Sequence, residues 1–461
     1  MMGPRQEAQA ALFYEFSLED HVPADHLLRS IDRFVDLSGI RKHLRPFYSS
    51  TGRPSIDPEL MIRMLIIGYC MGIRSERRLC EEVHLNLAYR WFCRLDLTDP
   101  IPDHSTFSKN RHGRFRESGL FRQLFETVVA RCLAEGLVGG QRFAVDASLI
   151  RADANKQNAT PIDDWPVERL NPQDAPRAVR EYLDTLDDAA FGAASEVKPK
   201  FTSHADPASQ WTGAQKGPAF FAYADNYLID TDHAIIVDVE ATRAVRQAET
   251  GAARTMIDRT LTRFGLYPEA LVADTAYGSA EMLGWLVYEH GIEPHIPVFD
   301  KSKRSDGCFE KADFIYDNEA DAYTCPAGMQ LRSRRKTYRS QTPLVDEDGM
   351  VRYRASKLDC DHCSLKQQCC PKAPARKILR SIFEGARDMA RDITETDAYV
   401  ASSRARKKVE MLFAHLKRIL KLDRLRLRGP NGARDEFHLA ATAQNLRKLA
   451  KLIPMEKPMP A

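Results

Sequence analysis

The order of strand and helix patterns between residues 142 and 297 constrains the fold more than any other feature of this sequence. The segment "RFAVDASLIR" alternates apolar and polar residues, which predicts a strand with Asp146 on the face opposite its apolar side chains. Two further runs, "FFAYADNYLID" and "HAIIVDVEAT", predict strands joined by a turn at Thr231–Asp232. The later patterns are a helix ending at Gly265, a strand in "EALVADTAYG", a helix from Ser279 to Gly291 and a strand in "EPHIPVF".

Three strands able to form a meander, followed by crossover helices, describe an α/β fold with a mixed sheet and helices on its faces. This order is the one expected of a ribonuclease-H-like fold. Charged, cysteine-bearing sequence interrupts it, and a basic helix follows the interruption. The predicted domains are a helical domain at 1–135, a first part of the core at 140–300, an insertion at 301–385 and a second part of the core at 386–455.

The first 135 residues predict short helices. In "SIDPELMIRMLIIGYCMG", Asp57 is a plausible N-cap and Pro58 takes the first helical position. After a break with two prolines, Ser105 could cap a short helix that carries Lys109 and Arg111. Short helices ending in a basic one suggest a helix-turn-helix-like DNA-binding unit, although compact helical domains without DNA contacts look similar.

Charge is concentrated near the end of the chain. Residues 401–451 hold fourteen Lys and Arg against four Asp and Glu, which suggests a polyanion such as nucleic acid, or simply a solvated basic tail. No apolar run reaches membrane length, so no membrane partner is expected. The N-terminus lacks the pattern of a secretory signal, which predicts a cytoplasmic protein, nucleoid-associated when bound to DNA, with reduced cysteines.

Three carboxylates stand out. Asp146 lies within a predicted strand, and Asp274 lies near the end of another, where α/β proteins place ligands. A carboxylate on an apolar strand is costly unless it is paired or bound to a metal ion, but a capping role is an equally simple reading. The third is Glu410, the one acid of the basic helix "RARKKVEMLFAHLKRILK".

The helical periodicity of this segment places Glu410 relative to its apolar residues. Its apolar residues form one stripe, and at about 100° per residue Arg406, Glu410 and Lys417 fall together on one partly buried flank. Glu410 is then either half of an exposed ion pair or a metal ligand beside two cations that hold phosphates. Two Mg²⁺ or Mn²⁺ ions would suit an all-carboxylate site.

The insertion carries a compact cysteine group. Cys360, Cys363 and either Cys369 or Cys370 follow an upstream Cys325, and His362 could substitute for one thiolate. Four such ligands suit tetrahedral Zn²⁺ in a zinc-ribbon-like insertion whose sequence has little apolar content, and the alternative is a set of unligated thiols. Four other cysteines lie on apolar helices and are expected in the core: Cys70, Cys80, Cys93 and Cys132.

The segments "AVDASLIRADA", "LVADTAYGS" and "RARKKVEMLFAHLKRILKLDRLRLRG" resemble the three catalytic blocks of bacterial insertion-sequence transposases with an Asp-Asp-Glu triad. "GRPSIDPELMIRMLIIGYCMGIRSERRLCEEVHLNLAYRWFCRLDL" and "PDHSTFSKNR" resemble the N-terminal domain of many such proteins. The resemblance implies a ribonuclease-H-like core in which Asp146, Asp274 and Glu410 hold two metal ions. Arg406, Glu410 and Lys417 match the spacing of a tyrosine–arginine–glutamate–lysine signature, but Ser403 stands where the signature has its tyrosine.

The function expected from these features is DNA transposition, with metal-dependent cleavage at the ends of an insertion sequence and strand transfer into target DNA. Terminal inverted repeats would be bound by the N-terminal helices and the basic C-terminal segment. The protein is expected to act as a homodimer on double-stranded DNA. The alternatives are a catalytically inactive DNA-binding protein and a nuclease without strand transfer. The candidate phosphate contacts near the C-terminus are Lys417, Arg424, Arg426 and Arg428.

Overall fold

The computed structural model describes residues 16–455 apart from residue 53 and segments 166–170, 189, 192–198, 214–216, 301–305 and 334–342. The chain divides into two compact units. Unit 1 comprises Met1–Gly140, Val145–Tyr267 and Lys407–Ala461, and unit 2 comprises Gln141–Ala144 and Pro268–Arg406. None of the helices among these described residues is both long and apolar enough to span a membrane.

The helical N-terminal region is confirmed, with residues 1–15 lying outside the described part of the chain. Asp57 caps the fourth helix through the Glu59 N–H at 3.0 Å, and Pro58 occupies its first position, as predicted. The cap predicted at Ser105 is wrong, because Asp103 accepts from the Ser105 N–H at 2.8 Å and the helix begins at His104. The helices are α1 Leu18–His21, α2 Leu27–Asp32, α3 Ile40–Leu44, α4 Pro58–Cys70, α5 Glu76–Leu85, α6 Leu87–Phe92, α7 His104–His112, α8 Arg114–Glu117 and α9 Leu120–Ala134.

In the described part of unit 1, the longest strand, Phe220–Asp230, has three neighbouring strands. They are β1 Arg142–Arg151, β2 Ala159–Pro161, β3 Phe201–Ser203, β4 Gln210–Thr212, β5 Phe220–Asp230 and β6 Ile235–Arg243, and the helices of this region are α10 Arg177–Leu183 and α11 Arg246–Phe264. β5 pairs antiparallel with β4 and with β6, and β1 neighbours β5. The segment 155–218 contains the short strands β2, β3 and β4.

Two hydrogen bonds give the direction of β1 relative to β5. The Ala152 N–H donates to the Phe221 carbonyl oxygen at 2.9 Å, so the end of β1 meets the start of β5. The Gly140 N–H, just before β1, donates to Asp230 Oδ2 at 2.9 Å, at the end of β5. The two strands therefore run antiparallel.

Unit 2 supplies the parallel pairs. Its first elements are β7 Ala270–Val272, α12 Ala280–Gly284 and β8 Glu293–His295. Residues 142–144 of β1 pair in parallel with β7, and β7 pairs in parallel with β8. Because antiparallel and parallel pairs both occur, the mixed pairing and the predicted order of three strands, helix, strand, helix and strand are confirmed.

The insertion is richer in β structure than expected from its sequence. Five short antiparallel strands follow the order β13-β12-β11-β10-β9, and a small core contains Phe314, Tyr323, Leu331, Tyr353 and Ile378. The expectation of little apolar content was wrong, because aromatic residues spaced along several short strands converge on one core. The elements are β9 Ile315–Asp317, β10 Ala322–Thr324, β11 Gln330–Ser333, β12 Met350–Arg354, α13 Lys357–Asp361, α14 Lys366–Cys369, β13 Lys377–Ser381 and α15 Glu384–Thr394.

The chain closes with two long helices, α16 Asp397–Arg418 and α17 Pro430–Leu452. α17 packs against α4, α9 and β6, so it is in contact with both the helical region and the sheet of unit 1. Its side chains are buried on nearly all sides, with Phe437, Leu446 and Leu449 at most 1% exposed. A helix with this burial is a central element of its unit.

Candidate active site

Asp146 lies in the middle of β1 and is half-buried. The N–H of the next residue, Ala147, donates to Asp146 Oδ1 at 2.8 Å. The partial burial agrees with a carboxylate that faces a crevice. The sequence therefore placed this residue correctly on its strand.

The strand pairing assigns Asp146 to a face of the sheet. Residues opposite each other in an antiparallel pair project to the same face. Counting six residues along each strand from the Ala152–Phe221 hydrogen bond, we infer that Asp146 stands opposite Tyr227. The ring of Tyr227 stacks on Phe413 of α16, with centroids 4.9 Å apart. Asp146 and α16 are thus on the same side of this sheet.

The apolar stripe of α16 packs as predicted, with one exception. Val409, Leu412, Phe413 and Leu416 are at most 8% exposed, whereas Ile419, which follows the last turn, is 48% exposed. The predicted partial burial of Glu410 is wrong, because this side chain is exposed. An exposed carboxylate is charged without a desolvation cost, so it remains suited to a metal ion or to a basic partner.

Lys417, one helical turn after Phe413, has an acidic environment that the sequence did not reveal. Burial lowers the pKa of Lys417, and Asp225 and Asp423 oppose that change. Burial raises the pKa of Asp225 well above its usual value. Asp225 lies beside the Tyr227 hydroxyl, which donates to Gln444 Oε1 at 2.9 Å. The signal that could have revealed Asp225 is an acid within the apolar run "FFAYADNYLID".

Asp274 belongs to unit 2 and follows β7 by two residues. Its Oδ1 accepts from the Ala276 N–H at 2.7 Å, so it caps the short 3₁₀ turn Thr275–Tyr277. The predicted strand ends earlier than expected, at Val272. Asp274 is therefore a capping residue at a strand end, and capping uses one of its two oxygens.

Two predicted phosphate contacts already have an acidic partner. Arg424 and Arg428 are about half exposed, and both form ion pairs with Asp153 at 2.7 and 2.9 Å. Arg426, between them, is also exposed. Exposed pairs of this kind contribute roughly 0–1 kcal/mol, so a phosphate could displace Asp153 at little cost.

The two candidate DNA contacts in α7, Lys109 and Arg111, differ in their exposure. Lys109 is exposed and available to a phosphate. Arg111 is 5% exposed and forms an ion pair with Glu76 at 3.0 Å. We therefore leave Arg111 out of the proposed DNA surface, because freeing it would leave Glu76 without its cation.

The segment that carries Arg424, Arg426 and Arg428, called the basic segment below, is held in place by a buried residue that the sequence did not single out. Glu436 of α17 is fully buried, and its Oε1 accepts from the backbone N–H groups of Arg426 and Leu427, each at 2.6 Å. Its Oε2 forms an ion pair with Arg74, which is also buried. Glu436 thus joins the N-terminal helical region to the backbone of the basic segment.

The cysteine group of the insertion is gathered around one small cavity. Cys325, Cys360, Cys363, Cys369 and Cys370 all line it. The Met329 N–H donates to Cys325 Sγ at 3.3 Å, within a tight turn closed by Gly328. Burial raises the pKa of Cys369 to about 12. No three His, Cys, Asp or Glu side chains among the described residues are close enough together to hold a metal ion.

Two protein families match this chain. The family described as Transposase domain (DUF772) matches residues 16–113, which contain α1 to α7. The family described as Transposase DDE domain matches residues 324–450, which contain Glu410, Lys417 and the basic segment. Asp146 and Asp274 lie between the two matched regions.

Proposed function

We propose that this chain, two regions of which match transposase families, is a DDE transposase that cuts the ends of its insertion sequence and joins them to target DNA. Asp146, Asp274 and Glu410 are the proposed catalytic acids. In the first step, water attacks the phosphorus and the strand is cut to leave a 3′-hydroxyl. In the second, that hydroxyl attacks a target phosphodiester and displaces a target 3′-oxygen.

The choice of Asp146 and Asp274 as catalytic acids rests on one observation. Strands β1 and β7 are parallel, with Ala144 opposite Val272. Asp146 and Asp274 each follow their own member of this pair by two residues. Each acid therefore lies two residues beyond a member of the same parallel pair, and this shared spacing supports a shared role. With Glu410 on the helix that covers the same face as Asp146, they support a ribonuclease-H-like core.

The donor set fits the divalent metal that this family generally uses. Asp146, Asp274 and Glu410 offer only carboxylate oxygens, which suit Mg²⁺ or Mn²⁺ better than Zn²⁺. These three residues would hold the ions, of which the resemblance implies two. When bound, such ions stabilise negative charge on the phosphate and favour deprotonation of the attacking water.

The protein's own cations would hold the DNA backbone. Lys417 is half-buried beside Asp225, and its ammonium group would contact one phosphate. Arg424, Arg426 and Arg428 would contact phosphates further along, and Lys109 would do so from α7. Since two element ends must be handled together, we propose that the protein acts as a homodimer on the terminal repeats. The four domain bounds predicted from the sequence remain part of this proposal.

Substitution of Glu410 tests the proposal. Glu410→Gln keeps the size of an exposed side chain but removes its charge, so it should leave folding unchanged and lower cleavage of an end-containing duplex with Mg²⁺ by at least a hundredfold. Glu395→Gln, at an exposed glutamate just after the end of α15, is the control. Unaltered cleavage by Glu410→Gln would refute the site. Wild-type binding without cleavage would favour the inactive DNA-binding protein, and cleavage without joined products would favour a nuclease.

We also propose a structural Zn²⁺ at the cysteine cavity of the insertion. The observation behind it is that five thiols line one small cavity beside the core of β9–β13. Cys325, Cys360, Cys363 and Cys369 are the proposed ligands, with Cys370 as the alternative to Cys369. Purified protein should contain about one zinc per chain, and Cys363→Ser should lower this content while Cys308→Ser, outside the cavity, should not. Zinc-free wild-type protein with an unchanged melting curve would refute it.

A further inference from the structure

A second candidate site lies on unit 1, at a different flank of α16 from Glu410. A hollow of about 490 Å³ opens between α16 and α17, a size within the range of roughly 300–1,000 Å³ typical of small-ligand pockets. Lys408, Leu412 and His415 of α16 line it. At about 100° per residue these side chains fall on the flank of α16 opposite Glu410. The hollow therefore faces a different side of α16 from Glu410.

The interior of the hollow is apolar. Leu27, Ala234, Met411, Leu412 and Ala450 contribute to its lining. Met411 is 72% exposed, which is unusual for a large apolar side chain. An open apolar hollow of this kind suits a flat, weakly polar group that is removed from water on binding.

The lining also includes four cations. Lys408 Nζ donates to the carbonyl oxygens of Thr231 and Asp232, at 2.7 and 3.0 Å. Lys448 Nζ donates to a backbone carbonyl at 3.1 Å, and Arg447 does so at 2.8 Å. In the described part of the chain, no carboxylate forms an ion pair with these three or with Lys451. Four positive charges with only neutral partners create a site for an anion.

Burial and the closeness of these positive charges lower the pKa of two groups that line the hollow, Lys448 and His415. Burial lowers the pKa of Lys448, and the neighbouring charges of Lys451 and Lys408 lower it further. Burial also lowers the pKa of His415, with Arg447 and Lys448 adding to the effect. A bound anion would relieve this repulsion.

We propose that the hollow binds one nucleotide of a DNA strand, with its base in the apolar interior and the adjoining phosphates on Lys408, Lys448 and Lys451. An aromatic base has apolar faces and each nucleotide adds one negative charge, which matches an apolar hollow edged by cations. A pocket of this size cannot admit a duplex, so the bound nucleotide must be unpaired. The inference rests on the proposed function only for the choice of DNA as partner.

Cross-linking locates the bound strand. The probe is a fluorescein-labelled 12-nucleotide oligothymidylate with one central 4-thiothymidine, irradiated with the full-length protein and mapped by mass spectrometry. Cross-links within residues 408–415 or 444–451 are expected. Cross-links confined to other regions would overturn the proposal.

Affinity tests the role of the cations. Lys448→Gln/Lys451→Gln keeps a donor for the backbone carbonyl and breaks no ion pair, so the fold should persist. We expect the anisotropy-derived affinity for the oligomer to fall at least tenfold. The slope of log affinity against log salt concentration should become shallower by about 0.7 for each phosphate that the variant no longer neutralises. Lys372→Gln, an exposed lysine of the insertion, is the matched control and should bind as wild type does. Equal affinity of the double variant and this control would overturn the proposal.

Three further binding measurements identify the ligand. An oligomer with an abasic site at the central position should bind more weakly, because the interior of the hollow loses the base, and equal binding would overturn the base's placement. Competition by thymidine monophosphate alone would indicate a free nucleotide, and competition by a polyglutamate peptide alone would indicate an acidic segment, each against the proposal. If the wild type cleaves an end-containing duplex but gives no cross-link in the hollow, this inference fails by itself. If it binds no DNA of any form, the proposed function fails as well.

Discussion

Removing the charge of Glu436 should loosen the basic segment that carries the candidate phosphate contacts. Glu436→Gln keeps the size of the side chain and its carbonyl acceptor for the Arg426 and Leu427 N–H groups. It removes the charge that faces Arg74, whose side chain is 6% exposed. Within the described residues, Glu436 is the carboxylate with which Arg74 forms its ion pair.

The expected magnitude follows from burial. Breaking a buried ion pair by removing one partner costs about 3–5 kcal/mol, because the remaining charge is left uncompensated. If the opening of the basic segment is governed by this pair, its amides should exchange with solvent about a hundredfold to several thousandfold faster, since roughly 1.4 kcal/mol corresponds to a factor of ten. The assay is native-state hydrogen exchange, followed by mass spectrometry, on peptides covering residues 420–440.

A double-mutant cycle separates the ion pair from general damage. Arg74→Met removes the cation and retains an apolar side chain of similar length, so adding it to Glu436→Gln should restore part of the protection. Glu395→Gln is the control, since it changes an exposed glutamate that follows α15. The reasoning is refuted if Glu436→Gln exchanges within threefold of wild type, or if the two substitutions are simply additive.

Two further predictions concern pH and a close backbone approach. Burial raises the pKa of Asp206 to about 7, while the Tyr223 hydroxyl donates to its Oδ1 at 2.5 Å. The native state therefore favours the protonated acid, and that stability is present at low pH and is lost as the pH rises from about 4 to about 7. Asp206→Asn should thus raise the melting temperature relative to wild type more at pH 8 than at pH 5, with up to roughly 4 kcal/mol at stake, and a pH-independent difference would contradict this. Separately, a Cβ at Gly278 would clash with the Pro297 carbonyl oxygen beside the turn that Asp274 caps. Gly278→Ala should therefore lower DNA cleavage by at least tenfold, whereas Gly251→Ala, which meets nothing within 4 Å, should not.

Local patterns predicted the elements well where a periodic run and a cap coincided. Helix α11 ends at Gly265, whose φ of +65° favours glycine, and α4 begins at the Asp57–Pro58 pair, as the sequence indicated. Short strands were harder to predict, because β4 and the strands of the insertion are stabilised by pairing partners distant in the chain. A three-residue strand has too few positions to show an alternation.

For the candidate site too, some properties could be predicted from the sequence and others could not. The identities of Asp146, Asp274 and Glu410 could be read from the sequence, because each stands out against an apolar or basic background. The exposure of Glu410 and the burial of Arg111 could not, since both depend on which neighbouring elements cover a helix face. Asp225 became a candidate only once β5 was paired and α16 was packed on it.

The sequence by itself determined the order of strands and helices, the match of two regions to transposase families and the chemistry of its acidic and basic residues, because these depend on local spacing and residue type. The tertiary structure alone decided which charges are available. It buries Glu436 against Arg74, pairs Arg111 with Glu76 and leaves four cations around an apolar hollow. The physical reason is that desolvation and pairing depend on contacts between segments hundreds of residues apart, such as the one between α4 and α17, and no local pattern records them.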